Sequence, residues 1–186
     1  MSFEDRCRSM ITEHEGCISH MYLDPRGFVT VAVGQLLAKV EAAQELAFVK
    51  RDSGAPAAAA DIARDYQTVK QQAPGKSASF YKPYTRLDLP ESAMNALFDK
   101  RIEVFEADLR ADFPDYDSFP DAAKLGLMDM VFNLGNAGLV DKFPSLTSAA
   151  RAHDWVTCAN ECHRRGIGNE RNEMTKKLFE EAAAPA

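Results

Sequence analysis

The stretch from Glu15 to Gly34 packs a helix end, two strand-like runs and a tight turn into one short span, and it constrains the fold more than any other part of the chain. Before it, Phe3, Cys7, Met10, Ile11 and His14 recur near the 3.6-residue period. The first fifteen residues therefore read as one amphipathic helix. Gly16 is a natural stop, because glycine takes the left-handed conformation that ends a helix at little steric cost. Glu15 is then placed in the last turn, beside the partly negative helix end. Proximity to that end, and any desolvation, disfavour the anion and raise a carboxyl pKa. A general acid needs a carboxyl that stays protonated near neutral pH.

Ile18 to Leu23 suits one strand, and Asp24-Pro25-Arg26-Gly27 is a turn with Pro second and Gly fourth. Phe28 to Val33 is rich in β-formers. Alternation puts Val29, Val31 and Val33 on one face and Phe28, Thr30 and Ala32 on the other. Thr30 is thereby expected on the side of Asp24. The hairpin folds back, so Glu15, Asp24 and Thr30 are expected to border one cleft. Two carboxyls in unlike surroundings are the minimum equipment for glycoside hydrolysis. The bland alternative is a solvated turn after a chance helix end, since carboxylates are common on surfaces.

His14-Glu15-Gly16, Tyr22-Leu23-Asp24 and the run from Gly27 to Gln35 resemble the catalytic opening of the phage-type lysozymes, the T-even-phage-like muramidases of glycoside hydrolase family 24. Asp24 lies nine residues after Glu15, and Thr30 six further on, as in that family. A second similarity is the run Met130 to Gly138, which resembles the family's central buried helix and its exit loop. A looser third one is the pair Arg165 and Arg171. Two departures stand out. Gly34-Gln35-Leu36-Leu37 replaces a frequent Gly-His-Leu-Leu, and Ala32 stands where the family often has Gly.

The resemblance implies an α+β, mainly α, lysozyme-like fold: a small β-hairpin lobe and a helical C-terminal lobe with a cleft between them. It implies one domain over 1–186, with an N-terminal lobe at 1–89, a hairpin at 18–34, an insertion at about 40–88, a linking helix at 90–110 and a C-terminal lobe at 111–186. The implied activity is hydrolysis of the β-1,4 bond between N-acetylmuramic acid and N-acetylglucosamine in peptidoglycan, with no metal or organic cofactor. Glu15, Asp24 and Thr30 are the implied catalytic residues. Asn133, Arg171 and Gln35 are the implied substrate-binding ones. Arg171 matches a family arginine beside the catalytic Glu, where it would lower the Glu15 pKa against the helix-end effect.

Other readings come from other classes. One is a non-catalytic lysozyme-like module that binds the wall; it has no need of all three polar residues together. Another is the muramidase toxin domain of a larger secreted antibacterial effector, which brings a delivery partner and an immunity protein that plugs the cleft. The N-terminus shows no basic segment followed by an apolar core, so export by another route or excision from a longer protein is expected. The site of action is then the periplasm or the cell wall, the chain is expected as a monomer, and no apolar run is long enough for a membrane span.

A net charge of -6 argues against nucleic acid as a bulk electrostatic partner. Locally, His163 to Lys177 carries Arg164, Arg165, Arg171, Lys176 and Lys177 against Glu170 and Glu173, which reads as a basic surface or a solvated helix face. Cys7, Cys17, Cys158 and Cys162 form no dense framework. Cys158, Cys162 and His163, with His153 before them, have no second CxxC-type pair, so the thiols read as buried or free. A disulfide from the first helix to the C-terminal part stays open.

Ala38 to Lys50 and Ala57 to Gln72 read as helices, broken by 51–56 and followed by a loop at 73–79. Phe80, Tyr81 and Tyr84 are expected to anchor the insertion to the core. Pro90 opens a helix with Met94, Leu97, Phe98, Ile102, Phe105 and Leu109 on one face. Ala122 to Leu134 is apolar almost all round and belongs at the middle of its lobe, with Met128 and Met130 as core filler. Pro144 to Ala152, Asp154 to Arg165 and Asn169 to Glu181 read as further helices, with Trp155 in the core.

Overall fold

The computed structural model describes residues 2–184, and the side chain of Glu15 lies outside the described residues. The chain is mainly helical with a small antiparallel sheet. It divides into two units, Glu15–Asp99 and Met1–His14 with Lys100–Ala186.

Among the described residues, all the strands lie in the Glu15–Asp99 unit. β1 (Ile18–Leu23), β2 (Val29–Ala32) and β3 (Gln35–Leu36) form a sheet with β2 in the centre. Tyr22 pairs with Thr30 and Leu23 with Val29, and the register slips between Ile18 and Tyr22. β3 is a strand that the alternation pattern did not predict; it pairs Leu36 with Thr30. All four residues of β2 are buried, so both of its faces are covered.

Apolar cover for Val29, Val31 and Ala32 comes from the segment expected to be an insertion. It contains α2 (Val40–Gln44), β4 (Val49–Lys50), α3 (Ala59–Lys70), α4 (Ala78–Tyr81) and β5 (Leu87–Asp88). Phe48, Ile62, Val69, Tyr81 and Leu87 join Met21, Leu23, Val29 and Val31 in one apolar cluster. The helix expected over 38–50 stops at Gln44. Val49 instead pairs with Asp88 and Lys50 with Leu87, a non-local ladder that local propensity does not register. Tyr81 is fully buried and donates to the Ala73 carbonyl at 2.8 Å. Phe80 packs against both Tyr81 and Tyr84, as anchoring aromatics should.

α1 (Phe3–Glu15) and α5 (Glu91–Asp112) contribute to the other unit up to His14 and from Lys100 onward, where they bury Cys7 and Ile11, and Ile102 and Leu109. α6 (Asp121–Leu134) is buried from Ala122 to Val131 apart from Lys124, as its composition demands. Met128 and Met130 are core residues. α7 (Asn136–Lys142) has no counterpart in the sequence reading. α8 (Pro144–Arg151), α9 (Trp155–Glu161) and α10 (Asn169–Ala183) complete the unit. Asp154 caps α9 by accepting the Thr157 N–H, and α9 ends at Glu161, short of Arg165. Trp155 packs edge-on against Phe119, with ring centroids 4.8 Å apart. Cys7, Cys158 and Cys162 are buried free thiols, Cys17 is an exposed one, and the disulfide left open above is not formed.

A single carboxylate organises the polar interior of this unit. Asp129 on α6 is fully buried. Its Oδ2 accepts from Arg164 Nη2 at 2.5 Å and from the Thr175 hydroxyl at 2.6 Å. Its Oδ1 accepts from Arg171 Nε at 2.9 Å, with Arg171 Nη2 2.8 Å away. Asn172 brackets the Arg164 backbone, accepting its N–H and donating to its carbonyl. The basic surface expected over 163–177 is corrected accordingly: Arg164 and Arg171 are interior residues. Arg165, Lys176 and Lys177 remain, against Glu170 and Glu173, an excess of one charge rather than three. Burial alone would raise the Asp129 pKa. Arg164, Thr175 and Arg171 outweigh it and hold the carboxyl below its ordinary range.

Removing one partner of such a cluster leaves buried charge without an answer. Asp129→Asn should cost about 3–5 kcal/mol in urea unfolding at neutral pH. Because the folded pKa is lowered, the wild type keeps this stabilisation above the ordinary carboxylate range and loses it as pH falls through the folded value. The variant should lack that part of the acid dependence. An unchanged midpoint in Asp129→Asn would show that the cluster adds nothing to stability.

Candidate functional site

The turn between β1 and β2 fixes Asp24 through its own backbone. Asp24 Oδ1 accepts the N–H of Arg26 at 2.9 Å and of Phe28 at 2.8 Å. The Asp24 carbonyl accepts the Gly27 N–H, and the Asp24 N–H donates to the Phe28 carbonyl. Pro25 supplies a preset φ, and Gly27 takes a φ of +81 that other residues adopt at a cost. With Oδ1 committed to the turn, Oδ2 is the oxygen left for other partners, and Arg26 Nε approaches it at 3.4 Å. The Asp24 side chain is 19% exposed, enough for a solvent molecule to reach it.

Thr30 lies on the central strand and is buried. Its hydroxyl donates to the Phe28 carbonyl at 3.1 Å. Asp24 and Thr30 are thus both hydrogen-bonded to the Phe28 backbone. Glu15 ends α1, and Gly16 follows with a φ of +70, the left-handed stop expected of it. The expected position of the Glu15 carboxyl lies outside the described residues.

Support for the turn comes from α3. Lys70 Nζ donates to the Gly27 carbonyl at 2.8 Å. Lys70 and Arg26 also place their cations 5.5 and 5.4 Å from the Phe28 ring centre. Sequence reasoning did not identify this role for Lys70, which lies more than forty residues from the turn it braces.

Gln35 is half-buried on β3 and donates to the Leu36 carbonyl at 3.3 Å. Asn133 is half-buried near the end of α6, and Arg171 is buried on Asp129; both belong to the other unit. Ala32 has a φ of +54. This is left-handed backbone, where glycine is favoured. The same unit contains a cavity of about 660 Å³ that neither Asp24 nor Thr30 lines. In comparison with known proteins, the chain matches no family model and no curated protein.

The strained position yields a test of sign. Valine ordinarily stabilises a strand, but a β-branched residue at φ +54 is an outlier. Ala32→Val should destabilise by about 1–3 kcal/mol. Ala32→Gly should fall within about 1 kcal/mol of wild type, because relief of backbone strain offsets the glycine's extra unfolded-state freedom. Chemical denaturation of both variants checks this, and a Val variant as stable as wild type contradicts the assigned conformation.

Proposed function

We propose that the chain is a lysozyme-like muramidase that hydrolyses the β-1,4 bond between N-acetylmuramic acid and N-acetylglucosamine in peptidoglycan. The observation that carries this reading is the immobilised Asp24, with Thr30 hydrogen-bonded to the same Phe28 backbone, at the Glu15-Asp24-Thr30 spacing of the phage-type lysozymes.

In this reading Glu15 is the general acid. It protonates the glycosidic oxygen as the bond to the muramic C1 breaks. Asp24, through Oδ2, which Arg26 Nε also approaches at 3.4 Å, takes a proton from a water molecule, and the Thr30 hydroxyl orients that water. The water oxygen attacks C1 from the face opposite the leaving group, which inverts the configuration there. Asn133 and Gln35 contact the glycan, whereas Arg171, expected beside them, is spent on Asp129 in the interior. Preorganisation supports the role of Asp24: its orientation is set by backbone donors before substrate arrives, so no rotamer must be frozen during the reaction. Direct attack by Asp24 would instead give retention, which calls for carboxyls about 5–5.5 Å apart rather than about 6.5–9.5 Å.

Asp24→Asn is an informative variant, because an amide oxygen still accepts the Arg26 and Phe28 N–H groups while its basicity is gone. Release of reducing ends from purified peptidoglycan should fall by about 10²–10⁴-fold in Asp24→Asn and in Glu15→Gln. The circular dichroism of both should stay that of wild type. Full activity in either variant removes that residue from its assigned role.

A further inference from the structure

The cavity beside β4 and β5 has a charge pattern that the proposed chemistry does not use. Lys50, Arg51, Arg64 and Arg86 line it, with Asp52 and Asp61. Arg51 is a wall and not a binding group. Its guanidinium is committed to Asp88 at 2.8 and 3.1 Å, to the Thr85 hydroxyl at 3.0 Å, and to the Thr85 and Leu87 carbonyls. Asp61 is shared between Arg64 at 2.8 Å and Lys50 at 3.5 Å, so one carboxylate answers two cations. Among the described residues, the Arg86 guanidinium has no ion-pair partner. The Arg86 backbone is held beside the cavity, because the buried Asp65 accepts the backbone N–H groups of Arg86 and Leu87 at 2.7 and 3.0 Å. With Arg51 matched by Asp88, three cations face two carboxylates. The rim is net positive on a chain of charge -6.

We infer that this cavity is a peptide-carboxylate subsite, and that it receives the peptide attached to the wall glycan; this rests on the muramidase reading. Arg86 supplies a planar fork matched to a carboxylate, and Arg64, which is paired with Asp61, adds positive charge beside it. Asp52 supplies an acceptor for an amine, so the lining suits a short peptide bearing both groups. The volume of about 660 Å³ is that of a small-ligand site, which favours such a peptide over the surface of a folded protein.

Isothermal titration calorimetry on the full chain at low ionic strength tests this, with the free tripeptide L-alanyl-γ-D-glutamyl-diaminopimelate as the probe. Arg86→Gln is the matched variant, because the backbone of Arg86 and not its side chain bonds to Asp65. The wild type should bind the tripeptide. Methyl esterification of the peptide, or Arg86→Gln, should weaken binding by about ten-fold or more. Absence of binding, equal binding of the ester, or equal binding by Arg86→Gln overturns the assignment. Equal binding of an all-L acidic peptide also overturns it, in favour of a protein partner. Titration needs no bond cleavage, so the two claims separate. Peptide binding without reducing-end release retires the muramidase reading alone, and release without peptide binding retires the subsite alone.

Discussion

The Glu15–Asp99 unit depends on the burial of a four-residue strand on both faces. Every residue of β2 is withdrawn from solvent, and a three-stranded sheet this small cannot achieve that alone. The segment from Val40 to Asp88 supplies the missing apolar surface through Phe48, Ile62, Val69, Tyr81 and Leu87. What looks by length like a surface insertion is therefore the other half of the core. Its consequence reaches the candidate site directly. α3, packed in that core, carries Lys70 to the carbonyl of Gly27, and so braces the turn in which Asp24 sits.

The second unit solves a different problem, a charge inside an apolar helix. Asp129 is tolerable there only because two guanidiniums and a hydroxyl converge on it. That convergence ties α6 to α10 and to the loop after α9, a link with geometric demands that apolar packing lacks. It also removes Arg164 and Arg171 from the surface electrostatics, which weakens any account of wall binding built on the charge of the C-terminal sequence.

Local patterns carried much of this into the sequence. The β1 strand, the turn at Asp24-Pro25-Arg26-Gly27, the stop at Gly16, the apolar face of α5 and the buried α6 follow from period, turn chemistry and propensity within a few residues. Features decided by distant partners did not. Val49 and Lys50 end as a strand because Leu87 and Asp88 are there to pair with. Lys70 reads as an ordinary helix-end cation until Gly27 is placed against it. Arg164 and Arg171 read as part of a basic or solvated surface, and Arg171 as a substrate-binding residue too; the one signal to the contrary is Asp129 itself, a lone acid within an otherwise apolar run. The alternation along Phe28 to Val33 does not register the positive φ of Ala32.

The central claim is chemical: that Asp24 activates water against a muramic C1. Mass spectrometry of the products from peptidoglycan digested by the wild type tests it most directly. Hydrolysis adds water across the bond, so disaccharide-peptides with reducing muramic ends are predicted. Anhydro-muramic ends would contradict the account, because they form by internal attack of the sugar and leave Asp24 and Thr30 with no water to hold.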